Sequence, residues 1–224
     1  MLTFGVSGKL LANGLVMYDH QTDSLWSHVR GEAVAGPLAG TPLAPLPAMH
    51  TTWGVWRRLH PATLVIHPSR SPHARDYGRD PYEGYYGNAD AGVLGARSPD
   101  ARLSPKQFVA GVRRGGRAKA YPFAALSARP VVNDDVGGPI AVVFDVGAAS
   151  AVAFDRRVGG RTLSFEAAGA RELRDHETGS RWDGLAGVAR EGPLAGARLA
   201  PVPVTHAFWF GWRDHYPDTA VYQK

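Results

Sequence analysis

The chain has 224 residues, 44% of them hydrophobic and 20% charged, with a formal net charge of +5. That composition describes a soluble globular protein with one or two cores. No apolar run approaches the roughly 20 residues a membrane-spanning helix needs, and the arginines are scattered among acids rather than gathered in a stripe, so neither a membrane span nor nucleic-acid binding is expected. With no cysteine, disulfides, thiolate catalysis and thiolate metal sites are excluded, leaving His, carboxylates, Tyr, Ser and Arg for any chemistry. Residues Met1–Gly5 carry no basic segment leading into an apolar stretch, so no signal peptide is visible and the compartment stays open.

In chain order, Phe4–Val6 and Gly14–Tyr18 read as strands, Asp19–Ser24 as a turn, and Trp26 as the start of the return strand. Pro42–Pro47 is a connection, because proline cannot donate to a sheet ladder. Thr51–Leu59 places Trp53 and Trp56 at i and i+3, which suits a short helix that Pro61 ends, and Thr63–Ile66 is expected as a closing strand. Residues 68–105 form a long loop with neither secondary-structure period, and Tyr77, Tyr82, Tyr85 and Tyr86 argue for its being ordered. Three Gly-Gly pairs then sit between β-branched runs: Gly115-Gly116 between Val109–Arg113 and Arg117–Tyr121, Gly137-Gly138 between Val131-Val132 and Ile140–Phe144, and Gly159-Gly160 between Ser150–Arg156 and Thr162–Phe165. Such pairs supply the positive φ of two-residue hairpins. Ala207–His215 repeats the helical spacing, Pro217 ends it, and Thr219–Tyr222 is expected as a last strand.

The chain contains part of itself twice. Asp19-His20-Gln21-Thr22-Asp23-Ser24-Leu25-Trp26 returns as Asp175-His176-Glu177-Thr178-Gly179-Ser180-Arg181-Trp182, and Gly36–Gly40 returns as Gly192–Gly196. The displacement of 156 positions holds without a gap through His50/His206, Trp53/Trp209, Trp56/Trp212, Thr63/Thr219 and Val65/Val221. A repeat of this length is a duplicated domain rather than a solenoid array. The expected fold is therefore mainly β, with internally duplicated antiparallel sheets in barrel-like lobes and short helices. The expected division is a first repeat over 1–67, a Tyr-rich inter-lobe loop over 68–103 and a second, complete repeat over 104–224. The lead-in 103–163 of the second copy has no counterpart before Met1, so the first copy is expected to be truncated, less stable and prone to self-association through an unpaired edge or a bare apolar face.

The sharpest chemical motif is the repeated Asp-His-x-Thr-x-Ser-x-Trp. Asp19 with His20, Thr22 and Ser24 offers a carboxylate, an imidazole and two hydroxyls on one turn, and Asp19 and Thr22 are ligand-binding candidates. Asx and ST turn bonding supplies a sufficient structural reason for the same residues. His50 and His206 each stand three residues before a Trp; with His20 and His176 they offer one His pair per lobe, a weak Zn or Cu signal without close i, i+4 spacing. A histidine bonded to backbone is the competing reading, and neither a metal nor any other cofactor is assigned. Arg75, Asp76, Tyr77, Tyr82 and Tyr85 present aromatic faces beside alternating charge, suited either to a small molecule or carbohydrate or to clamping the lobes together. No nucleophile elbow, phosphate loop or dinucleotide fingerprint is present.

The stretches Leu2–Leu10, Leu15–Asp19 with Thr22 and Trp26, Arg75–Gly78 with Pro81-Tyr82, Ala120-Tyr121-Pro122 and Phe208–Trp212 resemble the prokaryotic family known as domain of unknown function (DUF) 3179, some members of which are described as selenoproteins. The resemblance covers essentially the whole chain. It implies an upstream half ending in a Cys-Pro-Leu-Cys type motif, sometimes with selenocysteine, before an Ala-Phe-Asp-Arg strand. The equivalent stretch of the second copy, Asp145–Arg156, keeps that strand and has no sulfur. The resulting expectation is a non-catalytic scaffold or small-ligand-binding remnant of a thiol or selenol redox-associated family. Its rival is a metal-dependent enzyme using His20/His50 or His176/His206 with a nearby Asp.

Overall fold

The computed structural model describes residues 1–73, 75–88, 90–95 and 100–223. Strands β1 (Phe4–Leu11), β2 (Gly14–Asp19), β3 (Leu25–Ser27) and β4 (Glu32–Ala35) are followed by helices α1 (Trp53–Leu59) and α2 (Glu83–Tyr86). Next come β5 (Phe108–Arg114), β6 (Arg117–Pro122), α3 (Phe123–Ala128), β7 (Val131–Asp135), β8 (Pro139–Asp145) and β9 (Ser150–Asp155). The chain closes with β10 (Arg157–Val158), β11 (Arg161–Thr162), β12 (Phe165–Ala167), β13 (Glu172–Asp175), β14 (Arg181–Asp183), β15 (Val188–Glu191), β16 (Pro201–Val202), β17 (Val204–Phe208), α4 (Trp209–His215) and β18 (Ala220–Val221).

These strands make four-stranded sheets in the orders β1-β2-β3-β4, β12-β13-β14-β15, β16-β9-β8-β7 and β17-β5-β6-β18, plus the two-residue ladder β10-β11. Every pairing is antiparallel except β6 with β18. The mainly β fold with short helices follows, and no sheet among the described residues closes into a barrel. All six residues of the Gly-Gly turns have positive φ, from 55° at Gly115 to 133° at Gly138, the backbone that primed hairpin turns demand.

The sheet β16-β9-β8-β7 is the middle layer. Along β8, Ala141 and Val143 face a core shared with Phe165, Leu173 and Trp182 of the sheet β12–β15. Ile140, Val142 and Phe144 face the opposite way, onto Val112, Tyr121 and Leu126. The period of two thus feeds two cores, which explains why β8 and β9 read as unbroken apolar runs. Each fully buried aliphatic or Phe side chain here stabilises by about 1.5–3 kcal/mol. A third cluster joins Val109 and Ala120 to Trp209 and Trp212 of α4. Gly111 is required there, because a Cβ would lie 2.3 Å from the Trp212 ring.

Three expectations need correction. Thr63–Ile66 is not a strand: Leu64 is 94% exposed and none of the described strands pairs with it. Its counterpart at Ala220–Val221 is a strand only because β6 lies alongside, so pairing rather than local propensity decides. Ser150–Asp155 does not form a hairpin with Thr162–Phe165; it pairs with β8 and β16, and the Gly159-Gly160 turn closes only β10-β11. Ala207 and Phe208 end β17, held against Val109 and Phe108, so the second helix begins at Trp209. Beyond these, the connection after Pro47 leads to α1, whose Val55 is buried in the core of β12–β15.

Candidate functional site

The two Asp turns are internally saturated. Asp19 Oδ1 accepts from the Thr22 amide at 2.6 Å, Thr22 Oγ1 bonds both carboxylate oxygens at 2.9 Å, and Trp26 Nε1 donates to Oδ2 at 2.8 Å. The second turn repeats this: the Thr178 amide donates to Asp175 Oδ1 at 2.6 Å and Trp182 Nε1 to Oδ2 at 2.9 Å. Ser24 and Ser180 each bond the threonine hydroxyl at 2.7 Å and accept from Leu38 and Leu194. Both aspartates are fully buried. Burial by itself would raise their carboxyls, but the bonds from Trp and Thr outweigh it and hold each below the usual carboxylate range. Asp19 and Thr22 therefore face their own turn. His20 stands outside it, exposed against Tyr18, and His176 is likewise exposed.

The Tyr-rich segment divides. Arg75, Asp76 and Tyr77, with Arg79 and Pro81, line a concavity of about 490 Å³. Tyr77 Oη bonds Ser71 Oγ at 2.5 Å. Tyr82 is exposed and stands apart from that concavity. Tyr85 is a clamp: Lys106 Nζ sits 3.6 Å from its ring centroid, its ring packs against Phe208, and its hydroxyl accepts from the Gly92 amide at 2.9 Å.

The structure pairs histidines across the repeats. His50 and His206, equivalent by the 156-residue displacement, lie with ring centroids 5.3 Å apart, whereas His20 and His176 stay at their own turns. The backbone causes the meeting: Pro47, Ala48 and Met49 lie beside Val152–Phe154 of β9, and β17 carries His206 to Ala151 of the same strand. His50 lines a pocket of about 240 Å³ together with Thr51, Thr52, Phe108, Phe123, Ala148 and Ala149, and His206 adjoins that lining through His50 and Phe123. Phe123 meets His206 edge-on at 5.6 Å and stacks on Phe108 at 5.8 Å. His206 Nε2 accepts from the Ala151 amide at 3.3 Å, which assigns the ring proton to Nδ1. Burial, then the neighbouring His50, push the His206 pKa down to about 4, so the ring is neutral at pH 7. Two buried hydroxyls beside this seam, Thr51 Oγ1 and Ser150 Oγ, have no hydrogen-bond partner among the described residues. Ser150 shares the face of Val152, the side on which Met49 and Val55 pack.

Phe108, Phe123, Thr51 and Ser150 were not singled out from the sequence. The available signal was Ser150, the lone hydroxyl in an otherwise apolar Ser-Ala-Val-Ala-Phe run. The stretch Asp145–Arg156, which the resemblance makes the second copy's sulfur-free equivalent of the family's upstream segment, contributes Ala148 and Ala149 to this pocket. Among the described residues no group of three or more His, Asp or Glu is placed to hold a metal ion, so the seam offers two imidazoles and hydroxyls as potential ligands. No described helix is long and apolar enough to cross a membrane.

A family model described as protein of unknown function, DUF3179, matches residues 1–219. No curated protein and no solved structure matches the chain.

Proposed function

The chain belongs to the DUF3179 family, and from that premise we propose that it is a non-catalytic small-ligand-binding protein whose site is the seam pocket lined by His50, Thr51, Phe108 and Phe123. The observation that carries this reading is a pocket lined by His50, with His206 packed beside it and with Thr51 Oγ1 unpartnered among the described residues. Concave, mostly apolar pockets with few polar groups are the ordinary form of a small-molecule site. A fragment screen by saturation-transfer NMR tests it. Hits against the full chain that disappear when Ala149→Leu fills the pocket support the reading, and hits unaffected by that change overturn it.

The approach of the two imidazoles favours a second reading, a Zn or Cu site in which His50 and His206 are the protein ligands. One equivalent of metal in the purified protein, lost in both His50→Gln and His206→Gln, would place it first. We also propose that the two motif-bearing sheets descend from one duplicated unit and form the division 1–67 and 104–224. Self-association follows from the first of them: a second copy can cover the exposed Phe4, Val6 and Leu10 face of β1 with its own identical face, as an isologous pair. A thiol or selenol redox ancestry stands beside these as an inference from the family resemblance alone.

A further inference from the structure

The seam pocket has a more specific chemistry than a general apolar cleft. Its walls are two aromatic rings already stacked at 5.8 Å, within the 4.5–7 Å separation at which offset and edge contacts are favourable. Its volume of about 240 Å³ exceeds the roughly 150 Å³ cavity that accommodates benzene, which leaves room for one ring and a small substituent. No lysine or arginine lines it, and the His206 ring is neutral at pH 7 with a proton on Nδ1. A carboxylate or phosphate entering it would be desolvated without a countercharge.

The hydroxyls set the polar end. Thr51 lines the pocket, yet its Oγ1 is turned inward to a buried position without a partner among the described residues. An unmade buried bond of this kind costs about 1–3 kcal/mol. Rotation about χ1 would offer Oγ1 to the pocket, where a ligand hydroxyl could both donate to it and accept from it. A methyl can do neither, and a carboxylate can only accept and would enter without a countercharge.

We infer that the seam pocket takes a neutral, single-ring aromatic bearing a hydroxyl group, a phenol, with the ring against Phe108 and Phe123 and the hydroxyl toward Thr51 and the His50–His206 pair. This rests on the seam-pocket reading above. Titrations of the full chain at pH 7 with phenol, cyclohexanol, toluene and benzoate, followed by amide shifts of residues 50–52, 123 and 148–151, test it. Phenol should shift these signals, with each other probe at least tenfold weaker. Ala149→Leu should abolish the phenol response, and Thr51→Val should bring phenol down to the affinity of toluene. Cyclohexanol binding as well as phenol would remove the aromatic requirement, and benzoate or toluene doing so would remove the neutral hydroxyl requirement. Either result overturns the ligand class and leaves the pocket standing. If none of the four shifts these residues while fragments from the screen do, the class is again wrong. If nothing shifts them, the seam-pocket reading itself falls.

Discussion

The sheets β1–β4 and β12–β15 are built alike and end up in different surroundings. Phe4 meets Trp26 edge-on at 5.6 Å and 90°, and Phe165 meets Trp182 at 5.6 Å and 89°. The His20 amide bonds Thr3 O and the His176 amide bonds Ser164 O, each at 2.9 Å, and both β3-β4 and β14-β15 carry a register shift at the same place. Yet Phe4 is 41% exposed and Phe165 is 2% exposed. The cause is the middle layer: Asn133 of β7 bonds both the amide and the carbonyl of Phe165, at 2.9 and 2.7 Å, and Val131, Val143 and Val152 cover it. No described segment does the same for Phe4. The helices repeat the contrast, with Trp53 of α1 49% exposed and Trp209 of α4 1% exposed. The turn and ladder hydrogen bonds recur in both sheets, while the second sheet alone gains the Asn133 bonds and the hydrophobic cover of the middle layer.

The strongest way to break this comparison is truncation at the equivalent phenylalanines. Phe165→Ala should cost about 3–5 kcal/mol in urea unfolding, the range for a fully buried Phe, while Phe4→Ala should cost about 1–2 kcal/mol, scaled to the part of its area that is buried. Equal losses would mean that the first sheet is covered after all.

The equivalent histidines sharpen it next. His206 has a folded pKa of about 4 against an ordinary value near 6.5, so the unfolded chain binds the extra proton and stability falls as pH drops from about 6.5 towards 4. The loss should be of the order of 2–3 kcal/mol by chemical denaturation at successive pH values. His206→Gln should flatten that window. His50→Gln, at an exposed ring, should leave most of the slope. A slope unchanged in His206→Gln would assign the acid sensitivity elsewhere, since the paired aspartates lose their contribution only at lower pH.

Hydrogen exchange reads the same contrast amide by amide. Residues 4–11 should exchange before residues 172–175 and 181–183, because the first sheet has fewer buried side chains to hold it shut. Matching protection in the two sheets would contradict the difference in burial. The smallest expected effect on stability is at the bare face: Val6→Lys, at a site 71% exposed, should change it by less than about 0.5 kcal/mol. It should nevertheless shift any concentration-dependent association seen by sedimentation towards monomer. Association unaltered by Val6→Lys would move the self-contact away from β1.

The amino-acid sequence by itself determined the features that need only neighbours along the chain. The Asp19–Trp26 and Asp175–Trp182 turns, the Gly-Gly hairpins and the helix after Thr52 all follow from short-range hydrogen bonding and φ preference, and the recurrence of the Asp-His-x-Thr-x-Ser-x-Trp motif and the family membership are legible in residue identity. Tertiary structure decided everything that depends on a partner remote in sequence. Val221 is in a strand and Val65 is not, because only one of them has β6 alongside; Phe165 is buried and Phe4 is not, because only one lies under Asn133 and the middle layer. His50 joins His206 rather than His20 for the same reason: Pro47, Ala48 and Met49 lie beside β9, and neither spacing nor periodicity encodes where a proline-rich connection will be laid down.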